Sequence, residues 1–256
     1  MEYKYRLRDA VILASGYGRR MRRTKDSPSK PMTPIGDKPL ISYIIDLLIG
    51  SGIEKIYVVH HSVTSDVRDL LTYHAHYTNY LEFIEEKEQK GTLLSFSRVK
   101  HMVSPPFLLA FEDIIADQDD FRDMLNIGLQ SIGTDTDLVI QTVRQPSLLS
   151  ERAFLTKEGQ IVRYEKNGIT GEISGIQEKK YGGMISLWLA SPFPLMDSYL
   201  SMKNYRLSSF LEEYIPTHTV SEMPIHDMWD IDTPEAAAMT KELLKRRGGG
   251  NGCIKL

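Results

Sequence analysis

The stretch Asp9-Ala10-Val11-Ile12-Leu13-Ala14-Ser15-Gly16-Tyr17-Gly18-Arg19-Arg20-Met21, followed by Ser29-Lys30-Pro31, decides how the chain is read. Its first part is a short β-branched run, the pattern of a buried parallel strand. The run opens into a glycine loop, where missing Cβ atoms let backbone N–H groups close on phosphate oxygens. Arg19, Arg20, Arg22, Arg23 and Lys25 crowd the next turn and Lys30 follows, a density of positive charge that suits a polyphosphate. Two other glycine motifs do not fit. The dinucleotide fingerprint wants a third small residue where Met21 stands and a helix starting at the glycines, whereas a polar loop runs on to Pro39. The Walker-type loop needs Gly-Lys-Ser/Thr after its glycines, and the sequence has none there. Gly-x-Gly alone is more often a tight turn with a solvated basic loop.

Outward from this stretch, strand and helix signals alternate. Apolar residues at helical spacing over 39–48 stop at Gly50 and Gly52. Strands are predicted at 56–59, 81–84, 107–111 and 138–143, with helices at 64–74, 92–102 and 118–131 between them. Such alternation means βαβ crossovers and predicts an α/β fold, a Rossmann-like three-layer α/β/α with a mostly parallel, mixed central sheet. The second half is less regular. It offers a hairpin around Lys157-Glu158-Gly159-Gln160, a strand at 184–189, and helices at 207–214 and 233–245. Asp232 or Thr233 caps the last of these, with Pro234 at its first position. One domain is expected over 1–247, with about 145–180 an insertion over the sheet's C-terminal edge, where open α/β sheets bind ligands. Gly248-Gly249-Gly250-Asn251-Gly252 opens a flexible tail over 248–256.

Composition narrows the class. The chain has 256 residues, with 31 Lys+Arg against 34 Asp+Glu for a formal charge of −3, so it lacks the basic excess of a nucleic-acid binder. Hydrophobic residues at 41% and charged residues at 25% are those of a globular domain. A single cysteine, Cys253, excludes an internal disulfide and a thiol-based zinc site. The apolar run after the charged N-terminus is too short for a signal peptide, and 40–49 is interrupted by Asp46, so no membrane segment and a cytoplasmic location are expected. His60-His61 and His74-x-His76 lack the spacing that would complete a metal site and are expected to be structural or surface residues. Trp188 and Trp229 are expected in the core or in a pocket wall.

The opening stretch resembles the signature of the sugar-phosphate nucleotidyltransferase family, Leu-Ala-Ala-Gly-x-Gly-Thr-Arg-Leu/Met followed by Pro-Lys-Pro-Leu. The match is Leu13 to Met21, then Ser29-Lys30-Pro31-Met32. Pro34-Ile35-Gly36-Asp37-Lys38-Pro39-Leu40-Ile41 is similar to Pro-Val-Gly-Gly-Lys-Pro-Leu-Ile. Gln89-Lys90-Gly91-Thr92 stands where the family keeps a Gly-Thr near the nucleobase, and the strand ending in Glu112-Asp113 where it keeps Gly-Asp. Gly159-Gln160-Ile161-Val162-Arg163-Tyr164-Glu165-Lys166 is similar to Gly-Arg-Ile-x-x-Phe-x-Glu-Lys, Gly182-Gly183-Met184-Ile185 to Asn-Ala-Gly-Ile, and Asp230-Ile231-Asp232-Thr233-Pro234-Glu235 to Asp-Ile-Gly-Thr-Pro-Glu. Ser15, Arg19, Ser29 and Glu112 depart from the pattern, and Glu112 sets an extra acid beside Asp113.

The resemblance implies the nucleotide-diphospho-sugar transferase fold and Mg²⁺-dependent attack of a small phosphorylated acceptor, foremost a sugar 1-phosphate, on the α-phosphorus of a nucleoside triphosphate. Arg20 and Lys30 would be catalytic, acting on the phosphates. Ala14, Ser15, Gly16, Gly18, Gly91 and Thr92 would bind the nucleotide. Asp113 and Asp230 would ligate Mg²⁺, with Asp232 a competitor that is otherwise the helix cap. Glu165, Lys166 and Gly183 would meet the acceptor, with Lys179 a rival for Lys166. An alternative acceptor is phosphocholine or another small alcohol phosphate or phosphonate, with CTP as donor. A second alternative, for which Glu112 and Ser29 speak, is an inactive nucleotide-sugar sensor. A homo-oligomer is compatible with all three.

Overall fold

The structure, a computed structural model, describes residues 4–21, 27–72, 74–134, 136–144, 153–165 and 177–247. The β-branched run forms β1 (Asp9–Leu13), buried at every position. A two-residue hairpin of β2 (Pro34–Ile35) and β3 (Lys38–Pro39) leads into α1 (Leu40–Gly50). Being apolar on nearly all sides, α1 is covered on two of them: Ile41, Ile44 and Ile45 face the sheet, while Leu40 and Tyr43 join a smaller cluster. The alternation continues through β4 (Lys55–His61), α2 (Ser65–Leu71), β5 (Leu81–Glu86), α3 (Thr92–Ser97) and β6 (Phe107–Phe111). Next come β7 (Ile114–Ala116), α4 (Gln118–Ser131) and β8 (Leu138–Val143). The Asp117 carboxylate caps α4, accepting from Asp119 N–H at 2.9 Å and Asp120 N–H at 3.2 Å. The second half supplies β9 (Ala153–Lys157), β10 (Gln160–Glu165), β11 (Glu178–Trp188), α5 (Phe193–Ser201), α6 (Leu207–Tyr214), β12 (Ser221–Pro224), β13 (Met228–Asp230) and α7 (Pro234–Arg247).

The main sheet runs β5-β4-β1-β6-β11-β8-β12-β10-β9. Its β5-β4-β1-β6 half is parallel, β11 runs antiparallel to both neighbours, and β12 is parallel to β8. Residues of α1, α2 and α4 cover one face; those of α3, α5 and α6 cover the other, around a fully buried Trp188 whose Nε1 donates to Ser186 Oγ at 2.7 Å. The expected three-layer α/β/α with a mixed sheet is the observed one. Among the described residues no helix is long and apolar enough to cross a membrane.

Some expectations change. The third helix ends at Ser97, not near residue 102: Ser95 and Ser97 turn their hydroxyls back onto the Gly91 and Leu94 carbonyls, which competes with helix continuation. The strand expected at 184–189 begins six residues earlier. Gly182-Gly183 interrupts the ladder but not the strand, because Gln141 Oε1 accepts from Gly183 N–H (3.1 Å) and Met184 N–H (3.3 Å) across the bulge. The described part of the expected insertion is sheet: β9 pairs with the first half of β11, and β10 touches β12 through Gln160 and Ser221. Residues 145–152 and 166–176, and the tail at 248–256, lie outside the described residues.

Candidate active site

The cleft is built where β1 and β6 end side by side. At the end of β1 the loop turns back at Gly18, whose φ is +56°. A Cβ there would lie 2.6 Å from Lys30 Cβ, so the glycine allows the loop to close on Lys30. Ser29 then has a reason to replace proline: its N–H donates to Asp66 Oδ2 at 2.8 Å, a bond proline could not make. Ser15 Oγ lies 3.3 Å from Ser95 Oγ, and the Arg19 guanidinium sits 5.1 Å over the Tyr17 ring.

Two acids far apart in sequence meet through a short ladder. β7 pairs antiparallel with β13, setting Ile114 opposite Asp230, and Ile231 N–H donates to Asp113 O at 2.9 Å. Carboxylate oxygens of Asp113, Asp230 and Asp232 thereby lie within 4.8 Å of one another. The expected helix-cap role of Asp232 is corrected. Thr233 Oγ1 takes the Ala236 N–H at 3.2 Å, while the Asp232 carboxylate binds Lys30 Nζ and, at 2.9 Å, Arg20 Nη2. Asp232 stands where the family pattern quoted above has glycine, and here it anchors both basic side chains.

Lys30 is buried and its ammonium donates to Asp113 and Asp232. Burial pulls the ammonium's pKa down, but Asp113, Glu112, Asp232 and Asp230 outweigh it and hold the pKa well above the ordinary lysine value. Glu112 behaves oppositely: burial first, then the neighbouring Asp113, push its carboxyl up to about 8 against the pull of Lys30. Asp113 Oδ1 is buried without a hydrogen-bond partner among the described residues. Together with hard carboxylate donors on three sides, such an orphaned acceptor fits a divalent cation such as Mg²⁺. Among the described residues no histidine belongs to a comparable group.

A cavity of about 310 Å³ runs along the glycine loop from this cluster. It is lined by Gly16, Arg20, Lys30 and Asp113 towards the cluster, and by Ser15, whose carbonyl oxygen accepts from Gln89 Nε2, with Glu86, Gln89, Gly91 and Thr92 away from it. Gly91 is wedged so tightly that a Cβ would run into the Tyr205 carbonyl oxygen, and Thr92 Oγ1 accepts the Leu207 N–H at 3.1 Å. Gly91, Thr92 and Phe111 also line a second cavity, about 260 Å³, walled by Phe154, Tyr164, Gly183 and Arg206. Glu165 ends β10, Lys166 lies outside the described residues, and the Lys179 ammonium sits 5.6 Å over the Tyr181 ring. Ala14 is fully buried at the root of the loop. A larger cavity of about 760 Å³ on the α4 side holds none of these residues, and its buried Lys180 is already paired with Glu222 at 2.6 Å. Sequence reasoning missed Glu86, the anchoring role of Asp232 and the aromatic wall. Period-2 alternation in β5, which sets Glu86 on the same face as Ile84, was the available signal for the first.

A polar cleft outside the carboxyl ends of parallel strands places the chain among open α/β proteins that bind ligands at this edge. More narrowly, the family described as Nucleotidyl transferase matches residues 9–145, more than half of the sequence, and the chain belongs to that family. It is 31% identical over 126 residues to the bifunctional protein GlmU of Methanococcus aeolicus, covering 49% of this chain and 29% of that protein. It is 26% identical over 160 residues to mannose-1-phosphate guanyltransferase beta-A of Xenopus laevis, covering 60% of this chain and 44% of that one. The matched stretches thus span less than half of these curated relatives. The fold is shared with the inositol-1-phosphate CTP transferase from T. maritima, at a TM-score of 0.75 and 18% identity over 96% of this chain and 98% of that chain.

Proposed function

We propose that the chain is a Mg²⁺-dependent nucleotidyltransferase that joins a nucleoside triphosphate to a sugar 1-phosphate, giving an NDP-sugar and pyrophosphate. The observation that carries this reading is the meeting of Lys30, Asp113 and Asp232 at the glycine-loop cavity, with Asp230 in the same group of carboxylates. In the reaction an acceptor phosphate oxygen attacks the α-phosphorus. The bond from that phosphorus to the oxygen bridging to the β-phosphate breaks, and pyrophosphate leaves with the electron pair. Such transfers depend mainly on in-line positioning and charge stabilisation.

Asp113 and Asp230, with Asp232 beside them, would hold Mg²⁺, which when bound supplies charge neutralisation at the phosphates. Lys30 would release a carboxylate and place its ammonium on the reacting phosphates. Arg20, tethered to Asp232, would clamp the triphosphate through its planar fork. Backbone N–H groups around Gly16 and Gly18 would close on phosphate oxygens, and Ala14, Ser15, Gly91 and Thr92 would border the base. The acceptor would occupy the second cavity by Gly183; Glu165 and Lys166 would bind its hydroxyls and phosphate, a role that rests on the sequence pattern alone. The name of the Xenopus relative supports a sugar 1-phosphate as acceptor. Pyrophosphate release with Mg²⁺, a panel of nucleoside triphosphates and sugar 1-phosphates tests the reading. At least one pair should turn over, and Asp113→Ala should lose activity by about a thousandfold with the fold intact; no release with any pair, or full activity in the variant, overturns it.

A further inference from the structure

The base end of the cavity carries an unbalanced set of hydrogen-bonding atoms. Glu86, the last residue of β5, is 2% exposed, lines the cavity, and neither of its carboxylate oxygens has a hydrogen-bond partner among the described residues. Three residues on, Gln89 donates from Nε2 to the Ser15 carbonyl oxygen, which fixes its amide orientation and leaves buried Oε1 as a further unpartnered acceptor. Buried acceptors without partners are costly, and a native structure keeps them where a ligand supplies the donors. Ser15 Oγ at this end is already engaged with Ser95.

This pattern selects among bases. Uracil and thymine present an N–H flanked by two carbonyl oxygens, which would face the carboxylate with like polarity. Cytosine and adenine present one amino group beside a ring-nitrogen acceptor, so a carboxylate pairs at one oxygen and is repelled at the other. Guanine alone offers two adjacent donors, N1–H and the 2-amino group, matching two carboxylate oxygens. Resting on the nucleotidyltransferase reading, we infer that Glu86 and Gln89 make this site specific for a guanine nucleotide, with Glu86 as the residue that reads the base.

Calorimetric binding of GTP, ITP, CTP, UTP, ATP and inorganic tripolyphosphate in Mg²⁺ tests this. ITP differs from GTP only by the missing 2-amino group. GTP should bind about tenfold or more tightly than ITP, and more tightly still than UTP. In Glu86→Gln, which replaces one acceptor by a donor, GTP and ITP should come within about threefold of each other while tripolyphosphate binding stays as in the wild type. Should the variant fail to fold, the wild-type panel alone decides. Preference for CTP, UTP or ATP, or a guanine preference unchanged in Glu86→Gln, overturns the assignment while leaving the transferase reading standing. Failure of every triphosphate to bind overturns both.

Discussion

Replacing Gly18 by alanine tests the way the glycine loop is seated. At φ +56° an alanine pays the left-handed penalty of about 1 kcal/mol. Its Cβ would also stand 2.6 Å from Lys30 Cβ, about 1 Å short of ordinary carbon contact. Lys30 Cβ is fixed to the backbone of a 3-10 turn (Lys30–Met32) and cannot rotate away, so the loop must move, at a further strain of about 2 kcal/mol. The sum, about 3 kcal/mol, corresponds to a Tm lower by about 6–12 °C for a domain of this size. Because the displaced residue carries the ammonium, a shift near 1 Å should also lower kcat/KM by about a hundredfold. Gly16 is the internal control: no heavy atom lies within 4 Å of a Cβ built there, so Gly16→Ala should leave Tm within about 1 °C of wild type. Differential scanning fluorimetry beside pyrophosphate release reads both quantities. A Gly18→Ala protein with wild-type Tm and turnover would refute the packing argument.

Two further outcomes follow from buried charge. Lys30→Met removes the cation facing Asp113 and Asp232 and should destabilise the metal-free protein by about 3 kcal/mol or more; Mn²⁺ should then raise its Tm more than it raises that of wild type, and an equal or smaller rise would contradict a shared cation position. His60 is buried, and burial above all holds its pKa below the ordinary imidazole value. The unfolded chain therefore takes up this proton near pH 6.5 while the folded chain does not, so stability contributed by His60 is present above that pH and lost as pH falls below it. Chemical denaturation between pH 7.5 and 5.5 should show a shallower loss in His60→Asn than in wild type; identical slopes would exclude His60 as a source.

Much of this was legible because local and global signals agree. The run ending at Leu13 is strand-like by composition and is followed at once by glycines, so the position of the loop at a sheet edge needed no structure. The helix 118–131 shows its cap and its periodicity together and falls where expected. What escaped depends on pairings without sequence periodicity. β7 and β13 are three residues each, too short for an alternation, yet their ladder brings Asp113 and Asp230 together. Asp232 reads as a helix cap because an acid before Thr-Pro-Glu fits one; only the fold reveals that Thr233 already caps and that Asp232 faces Lys30. Glu86 is hidden in the run Glu85-Glu86-Lys87-Glu88, which reads as a solvated loop, and the pleat of β5 buries only the second of these acids. Gln141, whose side chain spans the β11 bulge, gave no sequence signal at all.

The account stands on a cation held by acids that β7 and β13 bring together. Mn²⁺ titration followed by electron paramagnetic resonance, on wild type and on Asp113→Asn and Asp230→Asn, measures this without turnover. Saturable Mn²⁺ binding in the wild type that weakens by about tenfold or more in each variant is the predicted result; Mn²⁺ affinity unchanged by both substitutions would contradict it.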